Sequence, residues 1–145
     1  MASATKFEVL SEHLAQGVHQ FHAAGHQLEI YLSNTTPDAA ADAVKADLAE
    51  IGTGNGYTGP IDIENDISRS GAVTTVIGTK KVITCSGSPM ATFRYVVLQN
   101  TTPTSPLDPL IEVWDYGSPL TLNPGETFSW KPNNSETTGA VLTIT

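Results

Sequence analysis

The chain has 145 residues, of which 39% are hydrophobic and only 15% charged, and its formal net charge is -8. That length makes one domain with a real core, and the acidic balance argues against nucleic acid, whose phosphates need Lys and Arg, and against an anionic membrane surface. A single cysteine, Cys85, excludes an intramolecular disulfide framework, and no apolar run approaches the ~20 residues of a membrane-spanning helix.

Residues 5–24 carry a helix pattern. Phe7, Leu10, Leu14, Val18 and Phe21 recur at steps of three and four, one stripe of a 3.6-residue period. Thr5 and Glu8 have capping-box spacing, and Gly25 suits a left-handed helix end. Gly17 costs such a helix about 1 kcal/mol. The N-terminus shows neither the basic region nor the apolar region of a secretory signal.

Leu28–Leu32 reads as a short strand closed by Ser33-Asn34-Thr35-Thr36-Pro37. Ala41, Val44, Leu48 and Ile51 then share a helical face, with Pro37 in the first turn and Gly52 after the last. Gly52–Pro60 is a flexible loop. Its glycine spacing is not a dinucleotide fingerprint, and no buried strand precedes it.

Beyond residue 60 the periodicity changes to two. Ile61 and Ile63 alternate with Asp62 and Glu64 in an edge strand or extended arm. Val73–Ile77 and Lys81–Cys85 read as a hairpin about Gly78-Thr79-Lys80. The richest apolar runs, Phe93–Leu98 and Leu110–Tyr116, follow, joined by a Pro/Thr/Ser loop. Leu120 and Leu122 share a face. A type II turn at Asn123-Pro124-Gly125 then leads across a second hairpin to Phe128 and Trp130. In the last strand Ala140, Leu142 and Ile144 point inward, with Val141, Thr143 and Thr145 outward. Cys85 ends a strand as a small buried hydrophobe.

These elements predict a single β-rich domain over 1–145. Residues 1–60 hold one or two helices, and residues 61–145 hold mostly antiparallel strands. The fold class is β-dominated, an antiparallel β-sandwich or jelly-roll-like barrel with one or two N-terminal helices. An internal echo pairs Leu32-Ser33-Asn34-Thr35-Thr36-Pro37 with Leu98-Gln99-Asn100-Thr101-Thr102-Pro103. It is reused turn chemistry, or a sign that the two strands lie side by side and leave the sheet at one end.

No catalytic constellation stands out. The four histidines, His13, His19, His22 and His26, fall in or just after the first helical pattern. The spacing of His19, His22 and His26 suits one metal ion, but no zincin glutamate accompanies them. The plainer reading puts His22 and His26 at the negative end of the helix dipole. Asp62, Glu64 and Asp66 form one acidic group, and Glu112 and Asp115 another. The first fails as an EF-hand because Ile67 stands where glycine is needed. No nucleophile elbow occurs, so no enzyme activity and no cofactor are expected. Phe93, Tyr95, Trp114, Tyr116, Phe128 and Trp130 are sandwich core, or alternatively a sugar-stacking platform.

Several stretches together carry a resemblance. They are the N-terminal helix pattern, Leu32-x-Asn34-Thr35-x-Pro37, Ala46-Asp47-Leu48-x-Glu50-Ile51, Gly54-Asn55-Gly56-Tyr57, Phe93-Arg94-Tyr95-x-Val97-Leu98, Trp114-x-Tyr116-Gly117-Ser118 and Leu122-x-Pro124-Gly125-Glu126-Thr127-Phe128. The combination resembles a family of small phage virion structural proteins of the head-decoration, or capsid-cement, type. The resemblance implies a non-enzymatic protein on the outer capsid surface, assembled in the bacterial host cytoplasm. It implies the major capsid protein as partner, a homo-oligomer on the lattice, and neither nucleic acid nor membrane. A neck or tail-completion protein, or a carbohydrate- or receptor-binding module, is the alternative. Candidate contact residues are Phe7, Leu14, Asn55, Tyr57, Glu64, Arg69, Pro103, Leu107 and Trp114.

Overall fold

The computed structural model describes residues 2–145. Its elements run β1 (Ser3–Lys6), α1 (Val9–Ala15), β2 (Leu28–Ser33), β3 (Ile61–Asp62), β4 (Asp66–Ser70), β5 (Val73–Thr79), β6 (Lys81–Thr84), β7 (Phe93–Asn100), β8 (Leu110–Leu120), β9 (Thr127–Trp130) and β10 (Thr138–Ile144). One sheet has the order β1-β8-β7-β2-β3, a second β10-β5-β4, and a third pairs β6 with β9. All pairings are antiparallel.

The arrangement is sandwich-like, as the strand pattern predicts. Apolar residues at successive positions of β2 and β7 give the large sheet two apolar faces. Ile30, Leu32, Val96, Leu98 and Trp114 meet Val76, Ile83, Phe128, Trp130 and Leu142 of the smaller sheets in the main core. On the opposite face Tyr31, Tyr95, Val97 and Val113 lie under Phe7 and Leu48. β7 and the Leu110–Trp114 half of β8 are buried on both sides, because apolar residues occupy both faces there, with Glu112 the buried charged exception.

The first helix is far shorter than the periodicity suggests. Thr5 belongs to β1, opposite Val113, so it caps nothing. The helix ends at a Schellman turn, in which Gly17 takes a φ of +74° and Val18 N–H donates to His13 O at 2.9 Å. Gly17 is therefore the stop, not a tolerated interior glycine, and Gly25 closes no helix.

The second expected helix is absent as well. Asp38 Oδ1 accepts from Ala40 N and Ala41 N, and Asp47 Oδ2 accepts from Ala43 N and Val44 N. These carboxylates take the donors that a helix would use. The segment also bonds to the start of β8, with Lys45 N donating to Asp108 O and Leu110 N to Ala43 O. Only a 3-10 turn, Lys45–Asp47, forms.

Both expected hairpins pair differently. β5 lies between β10 and β4, while β6 pairs with β9. Gly78 is no turn residue: a Cβ there would sit 3.1 Å from both Ile63 and Val141. The local hairpin is β4–β5, closed by Ser70 opposite Val73, with Gly71 at φ +60°. Asn123-Pro124-Gly125 does turn, with Gly125 at φ +92° and Glu126 N–H on Asn123 O. In β10 a bulge between Ala140 and Leu142 swings Val141 onto the core, against the simple alternation.

β3 is the expected edge strand on β2. The two echoed segments, β2 and β7, do lie side by side. They run antiparallel, so they leave the sheet at opposite ends.

Candidate functional site

Among the sequence candidates, three are structural. Phe7 and Tyr57 are each 1% exposed, and Trp114 lies under the second layer. Tyr57 donates to Glu50 Oε2 at 2.5 Å and accepts from Leu32 N at 3.1 Å. Burial places Phe7, between β1 and α1, and Tyr57, in the Gly52–Pro60 loop, in the core and not at a contact surface, whereas Trp114 packs on Trp130 and also lines a groove beside β1. Leu14 is half-buried against the same core, and Pro103 is half-buried in its loop.

Four candidates are exposed: Asn55, Glu64, Arg69 and Leu107. Asn55 Nδ2 donates to Pro89 O, and Ser86 N to Asn55 O. The Gly52–Pro60 loop is thus fastened to the body, not free. Glu64 pairs with Lys81 at 2.6 Å, which draws its carboxyl below the usual range. Arg69 stands near the β4–β5 hairpin tip, donating to Gly71 O at 2.9 Å. Leu107 is 61% exposed in a groove with Val44, Ala46 and Ala49.

The histidines do not share a helix face. His22 is exposed, while His13 and His19 are buried. Asn100 Nδ2 donates to Nδ1 of both His19, at 3.0 Å, and His26, at 2.9 Å. Both rings therefore carry their proton on Nε2. Burial first, then the neighbouring His13 and His26, pushes the His19 pKa down to about 4. Asn65 completes the clamp, donating to Phe21 O and His26 O and accepting from Leu28 N. Residues 16–27 are thereby tied to the sheet. No three His, Cys, Asp or Glu side chains of the described residues are placed to hold one ion.

The aromatics form core edges, not an exposed platform. Trp114 meets Trp130 edge-on at 5.3 Å, and Phe128 meets both Phe93 and Tyr116 likewise.

The feature that sequence reading left unassigned is Glu112. It lies on the main-core face of β8, opposite Leu98 and Lys6. It is 4% exposed and its Oε2 has no hydrogen-bond partner. Burial pushes its pKa up to about 7, against a smaller opposing pull from Lys6. Asp115, on the other face of the same strand, is held low by a bidentate bond from Arg94 at 2.8 and 3.1 Å. The two carboxylates are therefore not a pair. The signal available in the sequence was a lone acid inside the Leu110–Trp114 apolar run.

Glu112 lines a groove of about 300 Å³ between β1 and β10. These are the outer strands of two different sheets. Lys6 Nζ donates across it to Thr143 O at 3.3 Å. The groove offers apolar walls, two unpaired strand edges and one acid.

The fold thus defines a β-rich domain with antiparallel sheets and free edges. No family model, no curated protein and no solved structure matches the chain.

Proposed function

We propose that this chain is a non-enzymatic virion structural protein that binds the outer surface of a phage capsid lattice and stabilises it. The observation that carries the reading is Leu107, held out at 61% exposure on a loop fastened on both sides. Thr104 bridges Leu107, Val44 bridges Pro109, and Lys45 N–H donates to Asp108 O at 2.9 Å. A large apolar side chain on an ordered loop loses little entropy on docking. Small residues beside it, Ala46 and Ala49, leave a groove of about 480 Å³ for a partner's side chain.

Docking, not turnover, suits the rest of the surface. The Glu112 groove holds one carboxylate, where glycoside hydrolysis needs two. A protein that binds only the assembled shell stabilises it by mass action. Repeated weak contacts on a lattice add through multivalency.

Quantitative staining of purified particles against the major capsid protein tests the reading. Hundreds of copies per particle support cementing. About six to twelve copies move the protein to the neck or tail, where ring symmetry limits the number. Absence from particles overturns the virion reading. Leu107→Asp should fold normally and bind expanded shells at least tenfold more weakly.

A further inference from the structure

Two side chains stand beside free strand edges with bonding capacity unused: Arg69, which pairs with no carboxylate, and Glu112, a buried acid whose Oε2 has no hydrogen-bond partner although Lys6 lies opposite it in the ladder. Of the seven Lys and Arg residues, Lys45, Lys80, Lys81, Arg94 and Lys131 pair with carboxylates of the same chain. Among the described residues that leaves Lys6, which reaches across the groove to Thr143 O, and Arg69. Arg69 lies on β4, whose five residues are all exposed. Glu112 is the buried carboxylate whose Oε2 has no partner.

The strands beside these groups are placed for addition. β4 and β10 are opposite edges of one sheet, in the order β10-β5-β4. A β4 strand laid on the β10 edge of another copy would continue that sheet head to tail. The faces agree. Ile67 and Arg69 stand opposite Val76 and Thr74 of β5, and Leu142 also stands opposite Val76. Side chains of alternate residues share a face, so Ile67 and Arg69 lie on the face of the sheet that carries Leu142. On the β10 edge that face looks into the groove floored by Glu112. Ile67, 41% exposed, would bring an apolar side chain to the Leu142 and Trp114 walls.

We propose that the groove between β1 and β10 is the docking site for β4 of a second copy of this chain, with Arg69 of that copy on Glu112. The contact is heterologous, so repetition builds a ring or an open chain. Lys6 gives up its bond to Thr143 O, and the incoming backbone takes that carbonyl as strand addition requires. A buried acid without a partner gains most from a guanidinium, which binds carboxylate in bidentate fashion. The contact is one short strand, so association is weak and depends on protein concentration.

Pure protein suffices for the test, whether or not the capsid reading holds. Sedimentation of the full chain from micromolar to millimolar concentration should show reversible assembly beyond the monomer. Arg69→Glu should weaken it at least tenfold, Arg69→Lys should weaken it by a smaller factor because an ammonium keeps the charge but not the bidentate fork, and Glu112→Gln should weaken it by an amount comparable to Arg69→Glu. Because Arg69 is exposed, the Arg69→Glu result is interpretable even if the Glu112 variant fails to fold. Ser68→Cys combined with Thr143→Cys should form a disulfide between copies and build ladders on a non-reducing gel. A chain that stays monomeric throughout, or assembly indifferent to Arg69→Glu, overturns the proposal. So does a monomer that instead binds a lysine-bearing peptide in the groove, because the occupant would then be another protein.

Discussion

The Asn100 side-chain amide lies 3.0 Å from Nδ1 of His19, a buried ring stacked on Phe21 at 5.1 Å. The same amide nitrogen holds His26 at 2.9 Å. A donor on both Nδ1 atoms requires that neither ring be protonated there. Protonation of His19 would set an N–H against that donor inside the protein.

Stability therefore depends on pH through His19, and the direction is fixed. The His19 pKa is about 4 in the folded chain against an ordinary 6.5. Between those values the unfolded chain binds more protons, so the stability contribution is present above pH 6.5 and is lost toward pH 4. The loss is about 2–3 kcal/mol. His19→Asn should remove that part of the slope, as read from urea midpoints at pH 7, 5.5 and 4. A variant whose slope equals that of the parent refutes the assignment.

Glu112 bends the curve the other way. Its pKa, raised to about 7 from an ordinary 4.5, means the folded chain keeps a proton that the unfolded chain releases. Stability from this group is present below pH 4.5 and is lost as pH rises through 7. Glu112→Gln, studied at concentrations where the chain is monomeric, should gain about 2–3 kcal/mol over the parent at pH 8 and little at pH 4.5. Thermal melts of the two proteins at both pH values check this.

Asn65 satisfies three backbone groups at once: Leu28 N at 3.0 Å, Phe21 O at 2.9 Å and His26 O at 3.0 Å. Asn65→Ala strands them and should cost about 2–4 kcal/mol. Amide exchange between Gln20 and Gln27 should quicken before any other region opens.

Gly56 and Gly17 both take positive φ, yet they should respond differently to alanine. A Cβ at Gly56 would fall 2.0 Å from Thr84 O, while nothing lies within 4 Å of one at Gly17. Gly17→Ala therefore costs only the left-handed penalty, about 1 kcal/mol. Gly56→Ala must also push the Gly52–Pro60 loop off β6 and should cost about 3 kcal/mol or more. Denaturant midpoints of the two variants make the comparison.

Local patterning was informative wherever one stretch decides its own state. The apolar runs that became β7 and β8, the edge strand at Ile61, the Asn123-Pro124-Gly125 turn and the burial of Cys85 all read correctly from residue order. The helix stripe from Phe7 to Phe21 misled because spacing does not report a left-handed glycine, and Gly17 spends its freedom on a Schellman turn. The run from Ala41 to Ile51 misled because Asp38 and Asp47 offer the backbone nearer acceptors than a helix does.

The residues themselves determined a β-dominated acidic domain with an apolar centre and no disulfide, because those properties depend on composition and on periods of two. Tertiary structure alone decided that β6 joins β9 and β5 joins β10, since strand pairing is a choice among distant edges that alternation cannot rank. It also decided that Asn65 and Asn100 clamp the histidine loop and that Glu112 is buried without a partner. Those contacts span dozens of residues of chain, and only closure of the sandwich brings them together.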